Sequence, residues 1–271
     1  MDNPHWLLFF QTIGFLYFFV AGACMGSFLN VCALRIPEGQ SVVRPPSRCP
    51  QCGHSLPWYE NIPILSFLIL KGRCRSCAKP ISWQYPLVEA LTGFFFTVSA
   101  YRFEGDYLRL GAFLVLGCFC IVLSTIDFRT MTLPNAIIFP LMALSTLYAP
   151  WNPWLGFRWD MRLVDMILGF LAGAGILLLF GWFGSLILGK DALGGGDIKL
   201  LGALGMVLGW QGALDGLFLG SIFSGLWAGF MILSGRLKAK TPIPYGPFLC
   251  AGCLAAGLWP FLGLTYWMIL R

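Results

Sequence analysis

The chain has 271 residues, 58% hydrophobic and 11% charged, with a mean hydropathy of +0.75. Soluble domains carry about 25% charged residues, so a soluble globular protein is excluded; without the alternation of a membrane barrel, helices are the spanning element. The net charge of +6 is clustered beside apolar segments, where basic residues set membrane topology, and this argues against a nucleic-acid partner.

Apolar stretches suited to crossing a bilayer recur at 6–34, 86–103, 108–126, 135–150, 163–188, 199–210, 214–233 and 246–269, where about 20 residues make a full crossing. The expectation is an all-α polytopic membrane protein of about eight transmembrane helices. The first segment lacks a basic leading region and exceeds the apolar length of a signal peptide, so it reads as a retained anchor. The sixth is short and glycine-rich, which suggests a tilted or broken helix; its small residues allow close helix approach.

Residues 35–85 form the one candidate region outside the bilayer. Seven prolines, Pro37 to Pro80, disfavour long helices there. Arg35, Arg44, Arg48, Lys71, Arg73, Arg75 and Lys79 place it in the cytoplasm, and later cations (Arg129, Lys190, Lys199, Arg236, Lys238, Lys240) fall on the same side when spans alternate. The N-terminus is then outside.

This loop contains RCPQCGH and GRCRSCAK. Two Cys-x-x-Cys pairs, Cys49 with Cys52 and Cys74 with Cys77, have the spacing of a four-thiolate zinc site, because each two-residue turn aims two sulfurs at one tetrahedral ion. Iron in a rubredoxin-like site is the alternative metal, and disulfides disagree with a reducing compartment. A closed four-ligand site leaves no open position, so the metal is expected to be structural. His54 reads as a bystander. The remaining cysteines lie in apolar segments and read as buried hydrophobes.

Carboxylates at span edges are costly and so point to function. Asp127 ends the third span in LSTIDFRTMTLPN, and Asp197 opens the sixth in LGGGDIKLLGA. Alternation brings both to the cytoplasmic face. Two neighbouring aspartates share one proton, giving a base to activate water and an acid for the leaving nitrogen. Gly194, Gly195 and Gly196, without side chains, let a substrate backbone approach Asp197; with Lys199 they are the candidate substrate contacts. Taken alone, Asp197 also fits a helix cap and Asp127 a surface pair with Arg129. No G-x-S-x-G or H-E-x-x-H stretch is present, so serine-triad and zincin mechanisms are set aside.

With GSFLNVCALRIP (26–37), CPQCGHSLPWYENIPILSF, LKGRCRSCAKPISWQYPLVE, the Asp127 segment, GGGDIKLLGALG and IPYGPFL (243–249) together, the chain resembles the type IV prepilin peptidases, bifunctional leader peptidases and N-methyltransferases of pilus and type II secretion systems. The resemblance implies a Gly-x-Gly-Asp aspartic protease with Asp127 and Asp197 as its catalytic pair. It implies prepilin and pseudopilin substrates in the inner membrane, cut at a short basic leader, and methylation of the new N-terminus with S-adenosylmethionine. It assigns 1–34 to a first transmembrane helix, 35–85 to a zinc-binding loop of the methyltransferase region, and 86–271 to the peptidase core. Asn135 stands where relatives often carry aspartate and is excluded from the chemistry. Glu60 and Glu89 are candidates to contact substrate or stabilise the loop, with capping or surface pairing the preferred reading. The rival readings are a Gly-x-Gly-Asp protease cutting within helices and an ion-coupled transporter; the latter leaves the cysteines unexplained.

Overall fold

The computed structural model describes residues 4–156, 158–188, 194–238 and 241–259. Among them all regular structure is helical: α1 (Pro4–Arg35), α2 (Leu65–Ile69), α3 (Gln84–Arg102), α4 (Tyr107–Thr130), α5 (Asn135–Tyr148), α6 (Trp159–Leu188), α7 (Gly195–Leu233) and α8 (Gly246–Leu258). Four described segments, Thr12–Arg35, Tyr107–Thr130, Trp159–Ile187 and Gly195–Leu233, are long and apolar enough to cross a membrane. The protein is a membrane protein. The outer part of the predicted last span, 260–269, lies outside the described residues.

The chain divides into two compact units, Met1–Thr125 and Ile126–Arg271. In the first, α1 packs on α3 with almost no side chain between them. A Cβ on Gly22 would stand 2.7 Å from the Thr92 carbonyl oxygen, and one on Gly26 2.8 Å from the Glu89 Cα. Small residues permit this backbone approach, which supplies the dispersion contacts that hold helices together in lipid. Buried Asn30 ties the same helices, donating through Nδ2 to the Tyr85 carbonyl at 3.2 Å. Phe95, Phe103 and Phe113 then link α3 to the start of α4. The expectation of six buried cysteines fails at Cys24, which is exposed, and at Cys118, which is half-buried. Cys24 lies on the face of α1 turned from α3.

In the second unit α7 packs on α6 and α8. A Cβ on Gly173 would fall 2.5 Å from the Leu201 carbonyl oxygen, and one on Gly220 2.8 Å from that of Phe248. The predicted sixth and seventh spans both lie in α7, whose one non-helical residue is Gly209 (φ 72°, ψ 177°). The chain folds back there: the Ala213 Cβ comes within 3.2 Å of the Cβ position of Gly205, whereas eight residues of straight helix would separate them by about 12 Å. The break expected at 211–213 is therefore a turn at Gly209, where a positive φ excludes most side chains. Asn152, fully buried, holds the turn by donating through Nδ2 to the Val207 carbonyl at 2.7 Å.

Candidate active site and metal centre

One end of the second unit gathers the C-terminus of α4 with the N-termini of α5, α7 and α8. The chain leaves α4 at Met131, with a positive φ of 50°, and Pro134 then sets the start of α5. Between them Leu133 is a spacer: its side chain would meet a Cβ on Gly196 at 3.0 Å and one on Gly246 at 3.4 Å. The α7 and α8 N-termini thus both rest on one leucine.

Asp127, in the last turn of α4, is 5% exposed. Its Oδ2 accepts the backbone N–H of Gly246 at 3.1 Å, and a Cβ on Gly246 would reach that same oxygen at 2.8 Å. Asp197 is the third residue of α7, half-buried. The positive end of the helix faces its carboxylate, and the charges of Asp127 and Asp197 act on one another. The first turn is closed by the Asp197 N–H bonding to the Gly194 carbonyl at 3.1 Å.

The three glycines differ. A Cβ on Gly194 would lie 3.3 Å from Asp197 Oδ2, one on Gly195 would meet nothing within 4 Å, and one on Gly196 would press on Leu133. Gly194 and Gly195 are exposed, so the open flank of Asp197 is on their side. Lys199 points away from its aspartate, because residues two apart on a helix do not share a face; its Nζ donates to Asn135 Oδ1 at 3.2 Å. Among the described residues no ion pair joins Asp127 to Arg129. Tyr245, just before α8, shares a 2.8 Å hydrogen bond with Ser221. Burial holds its phenol above the ordinary range, so it remains an O–H donor at neutral pH. Gly246, Leu133 and Tyr245 carry no chemistry-bearing pattern; the one signal was IPYGPFL itself, whose Gly-Pro opens a helix.

In the first unit the sulfurs of Cys49, Cys52, Cys74 and Cys77 all lie within 4.8 Å of one another. Cys49 to Cys77 and Cys52 to Cys74 are each 4.0 Å, far from the ~2.05 Å of a disulfide and near the ~3.8 Å that tetrahedral coordination at ~2.3 Å requires. The four thiols can hold one metal ion. The two knuckles repeat one design: Gly53 N–H bonds to the Cys49 carbonyl and Ala78 N–H to that of Cys74, both at 2.9 Å. Both residues after the second cysteine take positive φ, 74° at Gly53 and 56° at Ala78. Backbone N–H groups of Cys77 and then Ser76 pull the Cys74 thiol down to about 6, which favours the thiolate a metal needs.

Glu60, its side chain only 4% exposed, joins the knuckles. Its Oε2 pairs with His54 Nε2 at 3.3 Å and its Oε1 accepts from Arg75 at 3.2 Å. His54 is thus no thiolate's competitor, and Glu60 is no surface residue. Glu89 is buried as well, accepting the Ile64 N–H at 2.7 Å at the head of α2.

Comparison with known proteins agrees with this geometry. The model of the type IV leader peptidase family matches residues 114–229, and that of the bacterial peptidase A24 N-terminal domain matches 20–103. A prepilin leader peptidase/N-methyltransferase of Myxococcus xanthus is 40% identical over 235 residues, covering 86% of this chain and 68% of that one. The chain belongs to the type IV leader peptidase family. Relatives of the same description from Klebsiella pneumoniae (39% identical; 76% of this chain, 90% of theirs) and Xanthomonas campestris (33%; 88% of each) extend the likeness. No solved structure matches the chain.

Proposed function

We propose that this chain is a membrane aspartic peptidase that removes the leader of prepilins and pseudopilins and then methylates the new N-terminus. The observation that carries the reading is the convergence of Asp127 and Asp197 beside Leu133, in a family whose members are described as prepilin leader peptidases and N-methyltransferases. The basic loop and the end of α4 then lie on the cytoplasmic side of the inner membrane, with the N-terminus outside.

The pair holds one proton between two carboxyl groups. The ionised partner takes a proton from water as the water oxygen attacks the leader carbonyl carbon, and the acidic partner gives its proton to the carbonyl oxygen. Collapse of the resulting gem-diol breaks the C–N bond, and the nitrogen leaves with a proton from the pair. Gly246 N–H fixes Asp127 Oδ2 and leaves the other oxygen to face the water. The open flank at Gly194 and Gly195 receives the substrate backbone. A basic leader is drawn to an anionic site.

The four cysteines fit zinc better than iron only by the commoner use of such spacings, and in either case the ion staples a loop that buries little apolar surface. S-adenosylmethionine, when bound, would supply an electrophilic methyl group for the freed amine. We assign this activity to the region of α1 and 35–85.

The test is leader cleavage of a prepilin in lipid by wild type, Asp127→Asn and Asp197→Asn, with products read by mass spectrometry with and without S-adenosylmethionine. Cleavage by wild type alone, and methylation only when the methyl donor is added, is the expected result. Cleavage in either variant removes that aspartate from the mechanism.

A further inference from the structure

In the first unit, α2 and the second cysteine knuckle border a groove of about 370 Å³, lined by Phe67, Leu68, Lys71, Arg73, Ile81 and Trp83 among others. We propose that this groove binds the headgroup of an anionic phospholipid of the surrounding leaflet, its phosphate between Lys71 and Arg73 and its acyl chains over Trp83 and Leu68. The inference needs the chain to sit in a membrane and uses neither of the proposed activities.

Local structure builds the groove. At the end of α2 the Lys71 N–H bonds to the Leu68 carbonyl at 3.1 Å and the Gly72 N–H to that of Phe67 at 2.9 Å. This pair of bonds ends a helix through a left-handed residue, and that residue is Lys71, with φ 51°. Glycine is the usual choice there, because a Cβ is strained in this conformation. A lysine in a glycine's position points to a use for its side chain. Beyond it the Ile81 N–H bonds to the Gly72 carbonyl at 2.7 Å, which lays 80–83 beside 71–73. Trp83 then packs on Phe67 with ring centroids 4.8 Å apart.

Charge selects the ligand. The next cations along the chain are engaged, Arg75 with Glu60 at 3.2 Å and Lys79 with Gln51 at 3.1 Å. Among the described residues Lys71 and Arg73 make no ion pair and no side-chain hydrogen bond, and no acid lines the groove. Two cations in one groove repel each other. A phosphate diester between them relieves that repulsion and accepts charge-assisted hydrogen bonds from both.

Depth selects a lipid over a dissolved anion. Gly22 meets Thr92, Gly26 meets Glu89, and Asn30 bonds to the Tyr85 carbonyl, so α1 and α3 run antiparallel and Trp83 stands close to the last turn of α1. The apolar segment of that helix, Thr12–Arg35, is long enough to cross a bilayer. The groove is therefore at the edge of the hydrocarbon layer, where tryptophan collects and basic pockets meet lipid phosphates. Trp83 is 74% exposed and Leu68 60%. A dissolved anion leaves both in water, whereas acyl chains cover them.

The experiment is native mass spectrometry of the detergent-solubilised full chain, titrated with dioleoyl phosphatidylglycerol, with dioleoyl phosphatidylcholine and with inorganic phosphate. A phosphatidylglycerol carrying a photo-activated group near its phosphate locates the site by peptide mapping. Wild type is expected to hold phosphatidylglycerol at least about tenfold tighter than phosphatidylcholine, to keep it against an equal concentration of inorganic phosphate, and to cross-link within 65–85. Lys71→Gly suits the backbone, so it should weaken phosphatidylglycerol binding about fivefold with melting temperature unchanged or raised. Adding Arg73→Gln should bring the loss to about 30-fold with metal content unchanged. Lys79→Gln removes a charge outside the groove and should keep wild-type affinity. Equal affinity for the two lipids, displacement by inorganic phosphate, cross-links elsewhere, or wild-type affinity in the double variant overturns the site. So does a loss in Lys79→Gln as large as in Lys71→Gly, which would mean diffuse surface charge. Should the double variant lose its metal, Lys71→Gly and the cross-links decide.

Discussion

The backbone N–H of Gly246 donates to Asp127 Oδ2 across 119 residues of sequence, at 3.1 Å. A glycine is required there because a Cβ would stand 2.8 Å from that oxygen. Gly246→Ala should therefore displace the carboxyl group and lower kcat for leader cleavage by about 100-fold, the scale of a small misplacement of a catalytic group. Melting temperature should fall as well, because the buried Cβ also presses on Leu133 at 3.4 Å. Full activity in this variant would show that the Asp127 carboxyl group does not depend on the space that glycine leaves beside it.

Asp127 and Asp197 are proposed to act as one unit, so their losses should not add. Each single change to asparagine is expected to abolish detectable cleavage, and the double change should be no worse than either. Single-turnover kinetics on all three variants measures this. A double variant much slower than both singles would mean two independent contributions.

Gly195 and Gly196 should separate substrate space from packing. Nothing lies within 4 Å of a Cβ on Gly195, whereas one on Gly196 presses on Leu133 at 3.0 Å. Gly195→Ala should raise KM several-fold with stability unchanged, as uniform loss of substrate binding does. Gly196→Ala should instead lower melting temperature, by the equivalent of about 1 to 3 kcal/mol of overpacking.

Glu60 holds His54 of one knuckle and Arg75 of the other. Removing such a support of a metal site typically costs about 10–100-fold in metal affinity. Glu60→Gln should shift a chelator competition curve by that factor, while Cys74→Ser should lose the metal altogether. Elemental analysis of the wild type should give about one zinc per chain.

Ala78 takes the left-handed conformation that Gly53 takes in the matching knuckle. That conformation costs a residue with a Cβ roughly 1 to 2 kcal/mol. Ala78→Gly should hold its metal at least as well as wild type, and Gly53→Ala less well, as read by the same chelator titration. The reverse order would mean that the two knuckles are not equivalent.

The cysteines and aspartates were legible because their chemistry is unusual where they stand, a thiol pair in a basic loop and a carboxylate at the edge of an apolar run. The α-helical spans were legible from composition, and α1, α3, α4, α5 and α6 begin and end close to the expected residues. The turn at Gly209 was not. Gly205, Gly209 and Gly212 look alike in sequence, and what selects the middle one is Asn152 reaching the Val207 carbonyl from 55 residues away. The role of Glu60 was hidden for a similar reason. A lone acid in WYENIP reads as solvated until folding brings Arg75 and His54 to it.

The turn at Gly209 leaves the first arm of α7, 195–208, about 21 Å long by its rise per residue. The hydrocarbon layer of a bilayer is about 30 Å thick. An arm with this shortfall cannot present both ends to bulk water unless the lipid beside it thins or a wet recess forms at one end. Asp197 stands at one of those ends. A peptide bond at the foot of a substrate helix can then meet the carboxylates without that helix being lifted out of the lipid. On the proposed function, such a recess would act as a ruler, selecting substrates by how far the scissile bond lies from the start of their apolar segment.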